Sequence, residues 1–380
     1  MAEIHGTCEP RFAELRDVLS DSIDSGADLG ASVAVFHDDE PVVDVWGGWA
    51  DEARTRPWEE HTVTNVWSTT KTVVALAALL LVERGQLDVF APVADYWPEF
   101  AQNGKERIEV RHLLSHTSGV SGWDQPVTVD DIYDWERATA ILAAQPPWWE
   151  PGTASGYHLV NYGHLVGEVI RRVDGRSLRR FVAEELAAPF DADFQIGLQP
   201  EDEARVSDVV TGPFGDFPSL EGVDPTLVPV RTFTGPVLPV DVVNSAEWRA
   251  AELGGVNGHS NARGVARLQR VIGNDGVVDG RRVLSPETLD LIWQEQAAGP
   301  DQVLFLPLRW GIGFALPQPD TFPYVPAGRV CLWGGAGGSL VVMDRDRHLT
   351  IAYMMNLMEL TIIGGPRAAA IVSAVYRALD

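Results

Sequence analysis

The chain has 380 residues, 45% of them hydrophobic and 22% charged, which suits a folded globular protein with room for two lobes and argues against a disordered or fibrous one. A formal charge of −25 at pH 7 argues against nucleic acid and anionic membrane surfaces as partners. No apolar run reaches membrane-spanning length, the polar N-terminus lacks a signal-peptide pattern, and Cys8 and Cys331 fit two free thiols, so a cytoplasmic location is expected.

In chain order, residues 12–23 carry apolar positions at helical spacing. Residues 31–36 and 41–46 are β-rich runs joined by His37-Asp38-Asp39-Glu40, a hairpin pattern. A strand-like run at 64–67 passes into a helix over 71–83, apolar on nearly all sides and closed by Gly85. Further helices are expected at 129–144, 162–173, 177–186, 262–272 and 286–294, with a long stretch at 212–242 rich in proline, glycine and aromatics, whose Phe214, Phe217 and Phe233 point to an ordered segment bordering the site. Strand signal returns at 311–316, 329–333, 339–343 and 349–353, before a closing helix over 367–379. Strands at both ends and helices between predict an α/β (α+β) fold. Residues 1–84 and 300–380 would form one domain around a central antiparallel sheet, and residues 85–299 an inserted, mostly helical domain. The active site is expected at their junction.

Three segments carry chemistry. Ser68-Thr69-Thr70-Lys71 places a hydroxyl and an amine three residues apart at a helix start, on one helix face. Serine is a weak nucleophile until a neighbour takes its proton, and Lys71 is one of only two lysines in the chain, the other being Lys105. Read blandly, Ser68 is a helix cap and Lys71 a surface lysine. The second segment is Pro151-Gly152-Thr153-Ala154-Ser155-Gly156-Tyr157-His158, a turn that sets Tyr157 on a loop. A phenol there could shuttle a proton if Lys71 lowers its pKa. The third is Trp333-Gly334-Gly335-Ala336-Gly337-Gly338-Ser339, glycine-rich within strand signal, which marks a bend or a close backbone approach.

Ser68-x-x-Lys71, then Tyr157, then Trp333-Gly334-Gly335, in that order with wide gaps, resembles the three-element active site of the serine β-lactamase and penicillin-binding protein superfamily. The class C β-lactamases and the family eight carboxylesterases are the nearest branch. His112-Leu113-Leu114-Ser115-His116-Thr117-Ser118-Gly119 and Asn257-Gly258-His259 are similar to stretches of the esterase-type members. The resemblance spans about residues 10–380 and implies a β-lactamase-like fold. It also implies Ser68 as nucleophile, Lys71 as its activating partner and Tyr157 as acylation base and leaving-group acid. Whether lysine or tyrosine takes the serine proton stays open. The backbone N–H groups of Ser68 and Ala336 would form the oxyanion hole.

Two departures bear on substrate. Lactamases of this type carry asparagine two residues after the tyrosine, where Leu159 stands, and a lysine opening the third element, where Trp333 stands. Both changes favour a neutral, apolar acyl compound. Trp333, Gly334, Gly335, His158 and Leu159 are therefore expected to bind substrate, while His112 and His116 are read as structural and His259 as either structural or pocket-lining. No metal-ligand spacing, phosphate loop or Gly-x-Ser-x-Gly elbow is present, so neither a metal nor another cofactor is expected. The expected activity is hydrolysis of small carboxylic esters with short, neutral acyl groups through an acyl-serine. The alternatives on the same scaffold are an amidase, a D-amino-acid peptidase, a β-lactamase or an acyltransferase. The rival of another kind is a non-catalytic binding protein. Oligomeric state is open, a homodimer included.

Overall fold

Apolar runs from the two ends of the chain pair into one sheet in the computed structural model, which describes residues 1–212, 223–239, 241–361 and 363–380. Its strands are β1 (Ile4–Cys8), β2 (Gly30–His37), β3 (Glu40–Gly48), β4 (Ala297–Pro300), β5 (Pro307–Trp310), β6 (Ala315–Leu316), β7 (Val330–Gly334), β8 (Leu340–Asp344) and β9 (Leu349–Met355). Their order is β1-β3-β2-β9-β8-β7-β6-β5-β4, antiparallel throughout. The two termini meet at β2 and β9, where Ala31 faces Met355 and His37 faces Leu349. The β2–β3 hairpin turns at Asp38 and Asp39, with φ of 52° and 68°, the left-handed pair that a two-residue turn requires.

The central strands are buried on both faces, so their sequence is continuously apolar rather than alternating. Their side chains still divide by parity. Val33, Val35, Val342, Ile351 and Tyr353 pack with helices α1 (Glu14–Asp24) and α5 (Pro366–Leu379). Ala34, Phe36, Val341, Met343, Ala352 and Met354 face the other core, with helices α2 (Thr70–Glu83), α3 (Tyr162–Asp174) and α4 (Ala262–Gly273). Helix α2 is buried along nearly its whole length, as an all-apolar helix must be. No described helix is long and apolar enough to cross a membrane.

The antiparallel sheet with flanking helices agrees with the expected fold class, and two expected helices are placed or divided differently. Helix α4, assigned by sequence to the helical insertion, lies against β2, β8 and β9 and so belongs with the sheet. The expected helix at 129–144 is two helices, Val129–Tyr133 and Trp135–Ala144, because Asp134 takes an extended conformation and caps the second through Arg137 N–H.

Candidate active site

The strand Thr64–Asn65 pairs with Gly258–Ser260 and runs into a 3-10 turn, Trp67–Thr69, that opens α2. Trp67 has φ of +48°, an unfavourable value for a bulky side chain, and its N–H donates to Asn65 Oδ1 at 2.8 Å. This strained turn presents Ser68, which is only 4% exposed. Strand β7 backs the turn closely. A Cβ on Gly335 would lie 2.5 Å from Val66 O, so only glycine lets the two backbones meet. Ser339 fixes the approach, donating to Val66 O at 3.1 Å and sharing a hydrogen bond with Thr69 Oγ1 at 3.0 Å.

Lys71 Nζ lies 2.9 Å from Ser68 Oγ, 2.8 Å from Leu159 O and 2.7 Å from Gly255 O. Complete burial pushes its pKa well below the ordinary lysine value. A neutral amine has two N–H groups and one lone pair. The two carbonyls can only accept, so each takes a Lys71 N–H, and in the neutral form the lone pair would face the Ser68 hydroxyl. Gly255 reaches this position because helix α3 packs tightly on its loop, where a Cβ on Gly163 would be 2.3 Å from Gly255 N.

Tyr157 is fully buried, and Lys71 Nζ sits 4.8 Å above its ring. The Trp333 indole N–H donates to Tyr157 Oη at 2.9 Å. The Tyr157 main chain is anchored by Asp301, whose Oδ1 accepts from Tyr157 N–H at 3.0 Å, from Val303 N–H at 2.9 Å and from Leu304 N–H at 3.0 Å. His116 and Trp310 complete an aromatic cluster, their ring centroids 4.8 and 6.2 Å from that of Tyr157. Burial raises the phenol above its ordinary value, opposed by hydrogen bonds with the Ser68 hydroxyl and the Trp333 indole. The expected lowering by Lys71 is therefore not found. The amine is itself desolvated, with its N–H groups committed to carbonyls.

Ser68, Lys71, Tyr157 and Trp333 thus converge, with the Gly334–Gly335 backbone directly behind the serine turn. Ala336, next along β7's exit turn, donates its N–H to no other main-chain oxygen among the described residues. Leu159 contributes its carbonyl to Lys71, and its partly buried side chain packs against both hydrophobic cores. The expectation that His158 binds substrate needs correction. Its Nε2 meets Ser118 Oγ at 2.7 Å and its Nδ1 meets Gly156 O at 2.8 Å, leaving neither ring nitrogen free. Burial holds its pKa down at about 3, so it is a neutral structural ring. His116 is structural too, its Nδ1 accepting from His158 N–H at 3.0 Å. His112 accepts from Glu109 N–H at 3.2 Å in a helix cap. His259 is buried on its strand with both ring nitrogens unpartnered among the described residues. Sequence reasoning did not find Gly255, Asp301 or Trp310. The first acts through a carbonyl, which any residue type supplies. Within 212–242, Phe214 and Phe217 lie outside the described residues, while Phe233 is half-exposed on the helix Val228–Thr234.

The chain is similar to known proteins over most of its length. The family described as Beta-lactamase matches residues 15–375. The chain is 32% identical to the esterase/beta-lactamase LipL of Mycobacterium tuberculosis, over 93% of this chain and 83% of that protein. It is 28% identical to the esterase EstB of Burkholderia gladioli, over 87% of this chain and 86% of that one. A solved family VIII carboxylesterase superposes with a TM-score of 0.92 at 38% identity, covering 99% of this chain and all (100%) of the other.

Proposed function

Because the chain belongs to the beta-lactamase family, we propose that it hydrolyses carboxylic esters of short, neutral acyl groups through an acyl-Ser68 intermediate. It is a serine carboxylesterase of the beta-lactamase-like superfamily. The observation that carries the mechanistic reading is the set of three contacts around Lys71 Nζ, two to carbonyls and one to Ser68 Oγ.

In acylation, Ser68 Oγ attacks the ester carbonyl carbon and its proton passes to the Lys71 lone pair. The carbonyl oxygen becomes an oxyanion, received by the N–H groups of Ser68 and Ala336, such donors being worth about 10²–10³ in rate each. Collapse breaks the bond to the alkoxide, which takes the Tyr157 proton and departs as alcohol. The Lys71 ammonium reprotonates Tyr157 and returns to the neutral amine. Water then attacks acyl-Ser68 by the same steps in reverse order, releasing the acid. Tyr157 is protonated and can give its proton to the more basic alkoxide, while the desolvated Lys71 is suited to act as base.

The substrate reading rests on Trp333 standing where related lactamases carry a lysine. An indole N–H directed at Tyr157 offers a carboxylate no ammonium partner. Losing a charge-assisted hydrogen bond costs about 1.5–3 kcal/mol, roughly 10- to 150-fold in affinity. A panel of p-nitrophenyl esters of rising acyl length, run beside nitrocefin and a D-alanyl amide, tests the assignment. Short esters are expected to turn over fastest. Nitrocefin hydrolysis rivalling the best ester would make the protein a lactamase instead.

A further inference from the structure

The turn after β7 is held by more than a hairpin needs. Gly335 N–H donates to Ser339 O at 2.9 Å, and Gly338 N–H donates to Gly335 O at 3.1 Å. Gly335 C=O and Ala336 N–H belong to one rigid peptide plane, so the second bond sets the direction in which Ala336 N–H points. Gly338 N–H in turn shares its plane with Gly337 C=O. That oxygen accepts from Arg367 Nη2 at 2.8 Å and from Glu359 N–H at 3.0 Å.

Arg367 stands near the start of α5, and its side chain is only 5% exposed. It also donates to Leu357 O at 2.8 Å, Ala27 O at 2.7 Å and Asp28 Oδ1 at 2.6 Å, and its Nε lies 2.7 Å from Glu359 Oε1. Tyr353 Oη donates to the same Asp28 oxygen at 2.7 Å, and Ser22 Oγ donates to the other at 2.5 Å. Asp28 engages Nη1 while the turn receives Nη2, so the guanidinium is pinned between them. A Cβ on Gly338 would lie 3.2 Å from Arg367 Nη2, a tight approach that glycine relieves.

We propose that Arg367 is a positioning residue for ester cleavage, orienting and polarising the Ala336 N–H through two hydrogen-bonded peptide planes. A cationic donor on Gly337 O draws electron density from that peptide and makes Gly338 N–H a better donor. The same transfer repeats through Gly335 O to Ala336 N–H. Hydrogen-bonded chains strengthen in this way by about 10–30% per bond. The effect is felt in the transition state, where the oxyanion forms, and little in ground-state binding. The inference rests on Ala336 N–H being an oxyanion donor.

The test compares Arg367→Gln, Arg367→Lys and Ala336→Pro with the parent enzyme, each normalised to active sites titrated with a phosphonate. The readouts are kcat, KM and inhibition by a trifluoromethyl ketone, whose serine adduct carries an oxyanion. The matching carbinol, which forms no adduct, serves as reference. Arg367→Gln is expected to lower kcat about tenfold, a fraction of what a whole oxyanion donor is worth. KM should stay within about twofold, ketone affinity should fall in proportion to kcat, and carbinol affinity should hold. Arg367→Lys, which keeps the charge, should recover part of the loss. If Arg367→Gln does not fold, Arg367→Gln/Asp28→Asn carries the comparison by removing the stranded carboxylate. Equal losses for ketone and carbinol, or an unchanged kcat, overturn the proposal. Ala336→Pro removes the donor at a turn position where proline is tolerated. If that variant keeps full ketone affinity, the oxyanion reading fails. If it loses affinity while the Arg367 variants do not, only the role of Arg367 fails.

Discussion

Trp333 donates its indole N–H to the Tyr157 phenolic oxygen across 2.9 Å, with the two ring centroids 5.1 Å apart. The tryptophan is 1% exposed, so it partners the tyrosine more than it walls the substrate. A neutral donor replaces the cation that related lactamases place at this point. It steadies Tyr157 Oη, while burial keeps the phenol protonated.

Trp333→Phe keeps the aromatic packing and removes that donor. A neutral hydrogen bond is worth about 0.5–1.5 kcal/mol net, so kcat for a short ester should fall roughly 2- to 12-fold with KM little altered. Trp333→Lys should reduce ester turnover as well and raise cephalosporin affinity. Steady-state kinetics of both variants decide this, and an unaffected kcat in Trp333→Phe would show that the bond is only packing.

Lys71 carries a stability prediction with a definite sign. Its folded pKa lies well below its ordinary value, whereas unfolded lysine titrates near 10.4. Between the two, the unfolded chain binds more protons, so this residue's contribution to stability rises with pH across that window. The Tm difference between the parent protein and Lys71→Met should therefore shift in the parent's favour from pH 7 to pH 10. On the acid side of that window, as pH falls through the folded pKa, kcat/KM should drop as Lys71 protonates. A pH-independent Tm difference would mean that Lys71 is charged in the folded protein.

Lys71→Ala and Tyr157→Phe should each remove most activity, and the double variant should be little worse than either. Groups that pass one proton act as a unit and are strongly non-additive. Two losses that multiply fully would show that the residues serve separate steps.

The segment before α4 is expected to border the acyl pocket. Phe233 is 39% exposed, and Val228, on the same short helix, packs with the core that holds Tyr157 and Trp333. Phe233→Ala should change acyl-chain preference across an ester panel while leaving Tm within a few degrees. A lowered Tm with unchanged selectivity would reduce the residue to packing.

Much of this site could be read from the sequence because its chemistry lies in side chains at fixed local spacing. Ser68 and Lys71 sit one helical turn apart, and the glycines after Trp333 announced a close backbone approach that Gly335 makes. The central strands were legible from their continuous apolar runs. The edge strands β1 and β4 were not, since Ile4–Cys8 is largely exposed and Ala297–Pro300 consists of residues with weak strand preference. The carbonyls of Leu159 and Gly255 left no trace, because every residue carries one. His158 misled by adjacency. It follows Tyr157 in sequence, yet its ring is bonded to Ser118 and Gly156.

The most direct test of the acyl-Ser68 account is covalent mapping. The protein is treated with a p-nitrophenyl phosphonate, its intact mass is measured, and the modified peptide is sequenced by mass spectrometry beside Ser68→Ala. One phosphonyl group on Ser68, lost together with esterase activity in a folded Ser68→Ala protein, is the expected result. A label on Ser118, Ser155 or Ser339, or a Ser68→Ala protein that still turns over ester at the parent's rate, would contradict it.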